Sequence, residues 1–402
     1  ERVAYLSIHT SPLATPGAGD AGGMNVYLHE LAQTMAGRGV QVEVFTRDRQ
    51  AGEVEVTPGY RVVPISPGPG GSGGHDALAE GVGDFAEGVA RWAVRHRAVY
   101  DVLHSHYWLS GWAGLLLHEV LRVPLAISFH TLGRVKDATR RSDQAPAGLL
   151  RLAAETEVIA RAGCVVASTP TEATQLIEHY AANPERLCVS PPGVDHAAFS
   201  PGSRPAARRQ LGLPVEERLV LFVGRLQPLK GPDVAVAAFA GLARDVPDCR
   251  LLVVGGPSGP QGEGEAARLR SAARGAGIEG RVHFLPPVPH RELASYYRAA
   301  DVLVAPSRSE SFGLVAVEAQ ACGLPVVAAA VGGLEHVVAD GESGLLVPGW
   351  DPGDYAAALR RVLTDPALAA RLSAGARVQA EGFSWPATAD RLLELYSGIA
   401  GP

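Results

Sequence analysis

Along this chain, short apolar runs end again and again in polar loops bearing glycine or histidine, and most of these loops lead into a helical stretch. That alternation leaves few folds open. The runs fall at 3–8, 42–46, 60–65, 102–108, 126–131, 165–168 and 187–190, then at 219–223, 251–256, 282–285, 301–305, 326–328 and 344–347. Helical patterns occupy 26–38, 76–97 and 148–162, then 233–244, 268–276, 292–300, 352–380 with a break, and 386–399. Continuous apolar strands alternating with helices predict parallel sheets covered on both faces. Periodicity fails at Pro191-Pro192-Gly193-Val194-Asp195 and Phe199-Ser200-Pro201-Gly202, and 402 residues exceed one ordinary core, so two domains of roughly 200 residues each are expected. The reading is an α/β chain with Rossmann-like domains at 1–200 and 201–385, and a last helix, 386–402, that returns to the first domain.

Charge removes one class of function. A net charge of −6 and a pI near 6.1 oppose nucleic-acid binding, because counterion release needs clustered Lys and Arg. The Arg-rich pieces 204–209 and 268–274 are read as solvated helix faces. No apolar stretch reaches about 18 residues, so no membrane span is expected, and with no signal peptide read at Glu1 the expected compartment is the cytoplasm. Cys164, Cys188, Cys249 and Cys322 are far apart and read as buried, reduced thiols rather than metal ligands. Lys136 and Lys230 are the only lysines, and Asn25 is one of two asparagines; in an arginine-biased chain such survivors are candidates for a needed role.

Chemistry is expected where open parallel sheets place it, at the carboxyl ends of strands. Gly22-Gly23-Met24-Asn25 opens the first helix and lets backbone N–H groups approach an anion; the spacing is not that of the dinucleotide fingerprint Gly-x-Gly-x-x-Gly. His75 ends a Gly/Pro/Ser loop. His104, His106 and Tyr107 end one strand, and His130 and Thr131 the next, where His130 is either a site residue or a core histidine. The stretch 132–145 reads as a basic loop holding Arg134 and Lys136. Arg151 and Glu155, at i and i+4, form either a surface ion pair or a positioned Arg reaching a phosphate. In the second half, Arg225 and Lys230 lie in the turn Gly224–Gly231, suited to neutralise a diphosphate. Val288, between two prolines, offers backbone to a flat base. Glu310 precedes Ser311-Phe312-Gly313-Leu314 at a helix start, with Glu318 in its first turns: carboxylates for hydroxyls beside N–H groups for phosphate.

Together, Gly22-Gly23-Met24-Asn25, His130-Thr131-Leu132, Pro192-Gly193-Val194-Asp195, Val223-Gly224-Arg225-Leu226 with Lys230-Gly231, and Glu310 to Glu318 resemble retaining, nucleotide-sugar glycosyltransferases of the two-Rossmann-domain GT-B type (family 4). The resemblance covers nearly the whole chain. Within that family the chain is most similar to the mycothiol-pathway group that moves N-acetylglucosamine from UDP-N-acetylglucosamine to an inositol phosphate, on 7–25, 104–111, 255–259 and 309–333. Sucrose-phosphate synthases, which transfer glucose to fructose 6-phosphate, share Gly133-Arg134-Val135-Lys136 and the Glu pair.

The resemblance implies two Rossmann-like domains facing across a cleft. It assigns the diphosphate to Arg225 and Lys230, the ribose to Glu318, donor-sugar hydroxyls to Glu310, and the sugar near its 6-hydroxyl to His130. Gly22, Gly23, Val288, Ser311, Phe312, Gly313 and Leu314 complete the donor site. Tyr107, Thr131 and Arg151 would take the acceptor phosphate, with Asn25 near acceptor hydroxyls. Where the inositol-phosphate enzymes carry an acceptor-binding lysine, this chain has His75, and Arg134 or Lys136 are the substitutes at hand. The expected ligands are a UDP-sugar and a small polyol or sugar-phosphate acceptor, with no required metal; assembly as a homodimer is left open. A glycosidase, a non-catalytic sugar-nucleotide sensor and a sugar-nucleotide epimerase are the alternatives from other classes.

Overall fold

A computed structural model describes residues 1–17, 19, 21–48, 52–66, 75–258 and 262–400, with 75–77 described by backbone alone. Fourteen strands fall in two sheets. The first holds β1 (Arg2–Ser7), β2 (Gln41–Arg47), β3 (Val54–Thr57), β4 (Tyr60–Ile65), β5 (Val102–His106), β6 (Leu125–Ser128), β7 (Cys164–Ala167) and β8 (Leu187–Val189), in the order β3-β4-β2-β1-β5-β6-β7-β8. Every pairing in it is parallel except the β3–β4 hairpin. The second holds β9 (Arg218–Val223), β10 (Cys249–Val254), β11 (Val282–Leu285), β12 (Val302–Ala305), β13 (Val326–Ala329) and β14 (Gly344–Val347), all parallel, in the order β11-β10-β9-β12-β13-β14.

Strand order reverses between β1 and β5 in one sheet and between β9 and β12 in the other. Such a reversal opens a crevice at the carboxyl ends, because the two flanking crossovers depart to opposite faces. The turns after those four strands carry Gly22, Tyr107, Arg225, Lys230 and 310–313, so the topology itself selects these candidate residues.

Some elements escape the sequence pattern. The helix Trp108–Leu121 is largely buried and almost wholly apolar, so it shows no polar stripe to mark it. The helix Pro170–Tyr180 begins at a Thr169 cap whose side chain accepts from the Glu172 amide. Two sequence expectations need correction. The stretch 132–145 is not loop throughout, since Gly133–Ala138 is helical. In 204–209, Arg204 and Arg209 are exposed as expected, but Arg208 is not on a solvated face: it is buried, donating to the Ala299 carbonyl at 2.8 Å and pairing with Asp301 at 2.7 Å. An arginine reads as surface until an acid from a distant segment is brought beside it. Cys164, Cys249 and Cys322 are buried and Cys188 partly so, all as free thiols.

The last helix, Trp385–Ala400, packs Trp385, Ala389, Leu392 and Tyr396 into the core of the first sheet, among Val3, Tyr5, Tyr27 and Val166. The crossing point is tight. Val194 bridges Ser384, and a Cβ on Gly193 would land on the backbone of Ser384 and Trp385. Among the described residues no helix is long and apolar enough to cross a membrane.

Gly193→Ala should cost about 1–3 kcal/mol, the usual range for overpacking against backbone that cannot yield. Gly264, in the helix Gly262–Gly275 with open space where its Cβ would stand, is the control: Gly264→Ala should leave the urea midpoint unchanged or slightly raised. Equal midpoints for the two variants would contradict the steric account.

Candidate active site between the lobes

The first helix, Gly23–Gly37, starts at Gly22, whose N–H donates to Asn25 Oδ1 at 2.8 Å. The Asn25 amide in turn donates to Thr10 Oγ1 at 2.7 Å and to the Ser11 carbonyl, and the residue is buried. Asn25 thereby holds the loop after β1 against the helix start. Gly22 backs onto the second lobe: a Cβ there would meet the Arg225 guanidinium at 3.3 Å, and one on Gly23 would meet Leu314 at 3.4 Å. The lobes come into side-chain contact at this point.

Other contacts join the lobes around the same crevice. Ser311 Oγ donates to the His130 carbonyl at 2.6 Å, Gly256 N–H to the Gly17 carbonyl at 3.2 Å, and Arg141 pairs with Glu265 at 3.3 Å.

On the second lobe, Lys230 and Glu310 form an ion pair at 2.6 Å, and Arg225 reaches Ser258 Oγ at 3.3 Å. Arg308 keeps these loops in register. It is buried, grips both oxygens of Asp233 at 2.9 and 2.8 Å, and donates to the Pro228 carbonyl at 2.7 Å. Gly231, at φ +68°, presses against the Pro306 carbonyl where any Cβ would collide. Phe312 is buried against Phe383, and Gly332 and Gly333 lie against the backbone of 310–312. Gly313, at φ +107°, starts the helix Leu314–Ala321 with no side-chain cap, so the first N–H groups are available to an anion.

Glu318, further along that helix, is buried and accepts from Tyr297 Oη at 2.8 Å, with His290 Nε2 2.6 Å from its other oxygen. Burial alone would push the His290 imidazole down, but the facing carboxylate outweighs it and holds the pKa above its ordinary value. Val288 lies in the loop that delivers His290, packed against the core. His290, Tyr297 and Arg308 are the residues sequence reasoning missed. The available signal was position: His290 follows Pro287-Val288-Pro289 directly, and Arg308 lies two residues before Glu310.

On the first lobe, three candidates converge. Arg151 donates to Tyr107 Oη at 3.1 Å and to Thr131 at both its carbonyl, 3.0 Å, and its hydroxyl, 3.3 Å. Glu155 pairs with Arg151 at 2.7 Å, also takes the Gly133 N–H and the Tyr180 hydroxyl, and is fully buried. A surface ion pair is thereby ruled out; the carboxylate is the post that aims the guanidinium. Burial and the neighbouring guanidinium groups of Arg151 and Arg225 push the Lys136 ammonium down, so three cations from two lobes share one field. Tyr107 at φ +76° and His130 at φ +59° hold left-handed backbone, which costs a non-glycine residue about 1–3 kcal/mol and clusters at functional sites. His75 begins the helix His75–Glu80; its side chain lies outside the described residues. Among the described residues no three His, Cys, Asp or Glu are grouped to hold a metal ion.

Comparison with known proteins agrees with this architecture. A family model described as "Glycosyl transferase 4-like domain" matches residues 22–193, and one described as "Glycosyl transferases group 1" matches 203–379. A D-inositol 3-phosphate glycosyltransferase from Geodermatophilus obscurus is 50% identical over 99% of this chain and 90% of its own length; one from Thermomonospora curvata is 48% identical over 99% and 95%. The structure of a sucrose-phosphate synthase from Thermosynechococcus elongatus superposes with a TM-score of 0.91 at 35% identity over 98% of each chain. That of Anabaena Alr3699/HepE with UDP and glucose superposes at 0.79 with 21% identity over 99% of each, a likeness of fold. Two parallel sheets with facing switch points and these matches define a GT-B glycosyltransferase. Within that class the chain belongs to the family of D-inositol 3-phosphate glycosyltransferases.

A raised His290 pKa means that its pairing with Glu318 stabilises the fold fully below the unfolded value of about 6.5 and is lost as pH rises through the folded value. The stability difference between the wild type and His290→Gln, from urea unfolding between about pH 5.5 and 9, should therefore shrink toward alkaline pH. A difference that grows with pH would reverse the assignment.

Proposed function

We propose that this glycosyltransferase moves a hexosyl unit, N-acetylglucosamine in preference to glucose, from a UDP-sugar to D-inositol 3-phosphate with retention at the anomeric carbon. The observation that carries the reading is the field that Arg225 shares with Lys136 and the aimed Arg151 across the lobes, with Lys230 in the same turn as Arg225, suited to one phosphate group on each substrate. Relatives at 47–50% identity named for inositol 3-phosphate support that acceptor over fructose 6-phosphate. The domains are taken as 1–200 and 201–385, with 386–402 returned to the first, in a cytoplasmic enzyme.

The resting Lys230–Glu310 pair would be parted by the donor: the diphosphate takes Lys230, and sugar hydroxyls take Glu310. Glu318 would turn to the ribose, with His290 and Tyr297 holding its carboxylate. Ser311, Phe312, Gly313 and Leu314 present backbone, and Val288 lies where a flat base would stack. Arg151, Tyr107 and Thr131 would hold the acceptor phosphate, helped by Lys136 and His75. In the reaction the bond between C1 and the diphosphate oxygen breaks, and its electron pair stays on that oxygen. The acceptor hydroxyl oxygen bonds to C1 from the same face and gives its proton to the departing phosphate. Arg225, Lys230 and the helix N-terminus at Gly313 meet the charge that develops on the leaving group, the duty a divalent ion performs elsewhere.

The decisive experiment is a mass-spectrometric screen of UDP-, ADP- and GDP-sugars against D-inositol 3-phosphate, fructose 6-phosphate and unphosphorylated inositol. Product from UDP-N-acetylglucosamine and inositol 3-phosphate, undiminished by EDTA, is expected; sucrose phosphate in its place would overturn the acceptor. Lys230→Ala should lower kcat about 100- to 1000-fold, as loss of a charge aimed at the transition state does, while the unfolding midpoint stays close to that of the wild type. Arg151→Ala should raise KM for the phosphorylated acceptor at least about tenfold, the loss of roughly one charge-assisted hydrogen bond, and leave KM for the donor unchanged.

A further inference from the structure

One buried cluster is unused by the mechanism above. His104 and His106 project from the same face of β5, two residues apart, into a cage made by Tyr5, Tyr27 and, from the last helix, Tyr396. Both are fully buried, and their rings lie 4.3 Å apart. His104 is satisfied at each nitrogen, with Tyr396 Oη 2.6 Å from Nδ1 and Ser128 Oγ 3.0 Å from Nε2. His106 is not. Its Nδ1 lies 3.0 Å from His130 Nε2, while its own Nε2 is buried with no hydrogen-bond partner among the described residues.

That asymmetry decides where the protons are. Burial pushes all three imidazoles down, His104 and His130 to about 3 and His106 well below its ordinary value, so each ring is neutral and carries one N–H. If His130 donated from Nε2, the proton of His106 would sit on its orphaned Nε2, a donor sealed in an aromatic cage. If His106 donates from Nδ1, the orphan is a lone pair instead. Buried N–H groups without partners are rarer and costlier than under-used acceptors. The second arrangement leaves His130 protonated on Nδ1, the nitrogen not engaged by His106.

We propose that His106 is a positioning residue for the transfer: its Nδ1–H donates to His130 Nε2, fixes the tautomer of His130, and so turns one N–H donor toward the transferred hexose. The proposal rests on the reading of His130 as a contact of the donor sugar. A donor with a fixed proton holds a sugar oxygen in one geometry and cannot rotate away, because the ring is pinned by His106 on one edge and by Tyr27, 5.1 Å away, on its face. A left-handed His130 backbone, bonded through its carbonyl to Ser311, anchors the same side chain from behind.

Two measurements test it. In protein labelled with ¹⁵N histidine, with the His130 signals assigned by their loss in His130→Asn, the ring of His130 should show a protonated Nδ1 and an unprotonated Nε2 near neutral pH. A protonated Nε2 overturns the proposal without reference to catalysis. Kinetically, His106→Leu should lower kcat about 10- to 100-fold, the usual cost of losing an orienting partner, with KM for the acceptor unchanged. His106→Asn, whose amide nitrogen can stand where Nδ1 stands and keep an N–H, should recover most of that loss. If His106→Leu is fully active while His130→Ala is damaged, the proposal falls alone; if His130→Ala is fully active, the sugar-contact reading beneath it falls first. Should His106→Leu fail to fold, the ring-nitrogen spectrum of the wild type still decides.

Discussion

Lys230 and Glu310 follow two adjacent strands, β9 and β12, on either side of the point where strand order reverses, and they meet at 2.6 Å. Both side chains are partly buried there, and Glu310 has only a longer contact from Ser307 Oγ, at 3.4 Å, besides Lys230 among the described residues. A pair of this kind is a poor source of stability, since desolvation cancels much of the Coulomb gain. It is a good store of two opposite charges held a few ångströms apart in a crevice. A ligand carrying a diphosphate at one end and hydroxyls at the other can replace the pair with two better partners at little electrostatic cost.

Around this pair the protein spends buried charge on aim. Arg308 ties Asp233 and the Pro228 carbonyl to the loop that carries Glu310, and Glu155 binds Arg151, Gly133 and Tyr180 at once. Arg308 holds three hydrogen bonds and Glu155 accepts at both oxygens, the kind of pairing under which buried charge rigidifies a site. His106 extends the same logic with neutral groups: a ring buried beside His130 carries information about proton position in place of charge. The glycines at 231 and 332–333 are the steric counterpart, because a Cβ at any of them would land on the backbone of a site loop.

Much of the fold was legible before any coordinate. Parallel strands alternating with helices follow from apolar periodicity, which is local. The misses have local causes too. The apolar helix Trp108–Leu121 has no polar stripe, the short helix Gly133–Ala138 hides in a run of polar residues, and β3 pairs only as an exposed edge. In the site, the lysines stood out because the chain has only two, and Arg225 because it lies in a glycine-bearing turn at a strand end. Arg208 and Arg308 did not, because a solvated arginine and a clamped one look alike until their acids arrive from elsewhere in the chain.

By itself, then, the amino-acid order determined where most of the strands fall and which loops could carry chemistry, since those depend on side-chain period and turn residues within a few positions. Tertiary structure alone decided which charges are paired and which nitrogen holds a proton. Asn25 turned inward to hold a loop, Glu318 acquired His290 and Tyr297, and His106 was left with an unmatched nitrogen beside His130. Those outcomes depend on a neighbour 28 residues away along the chain for Glu318, and for His106 on His130, 24 residues away, and on Tyr5 and Tyr27 farther still, and on the loss of water around them, neither of which any local pattern records.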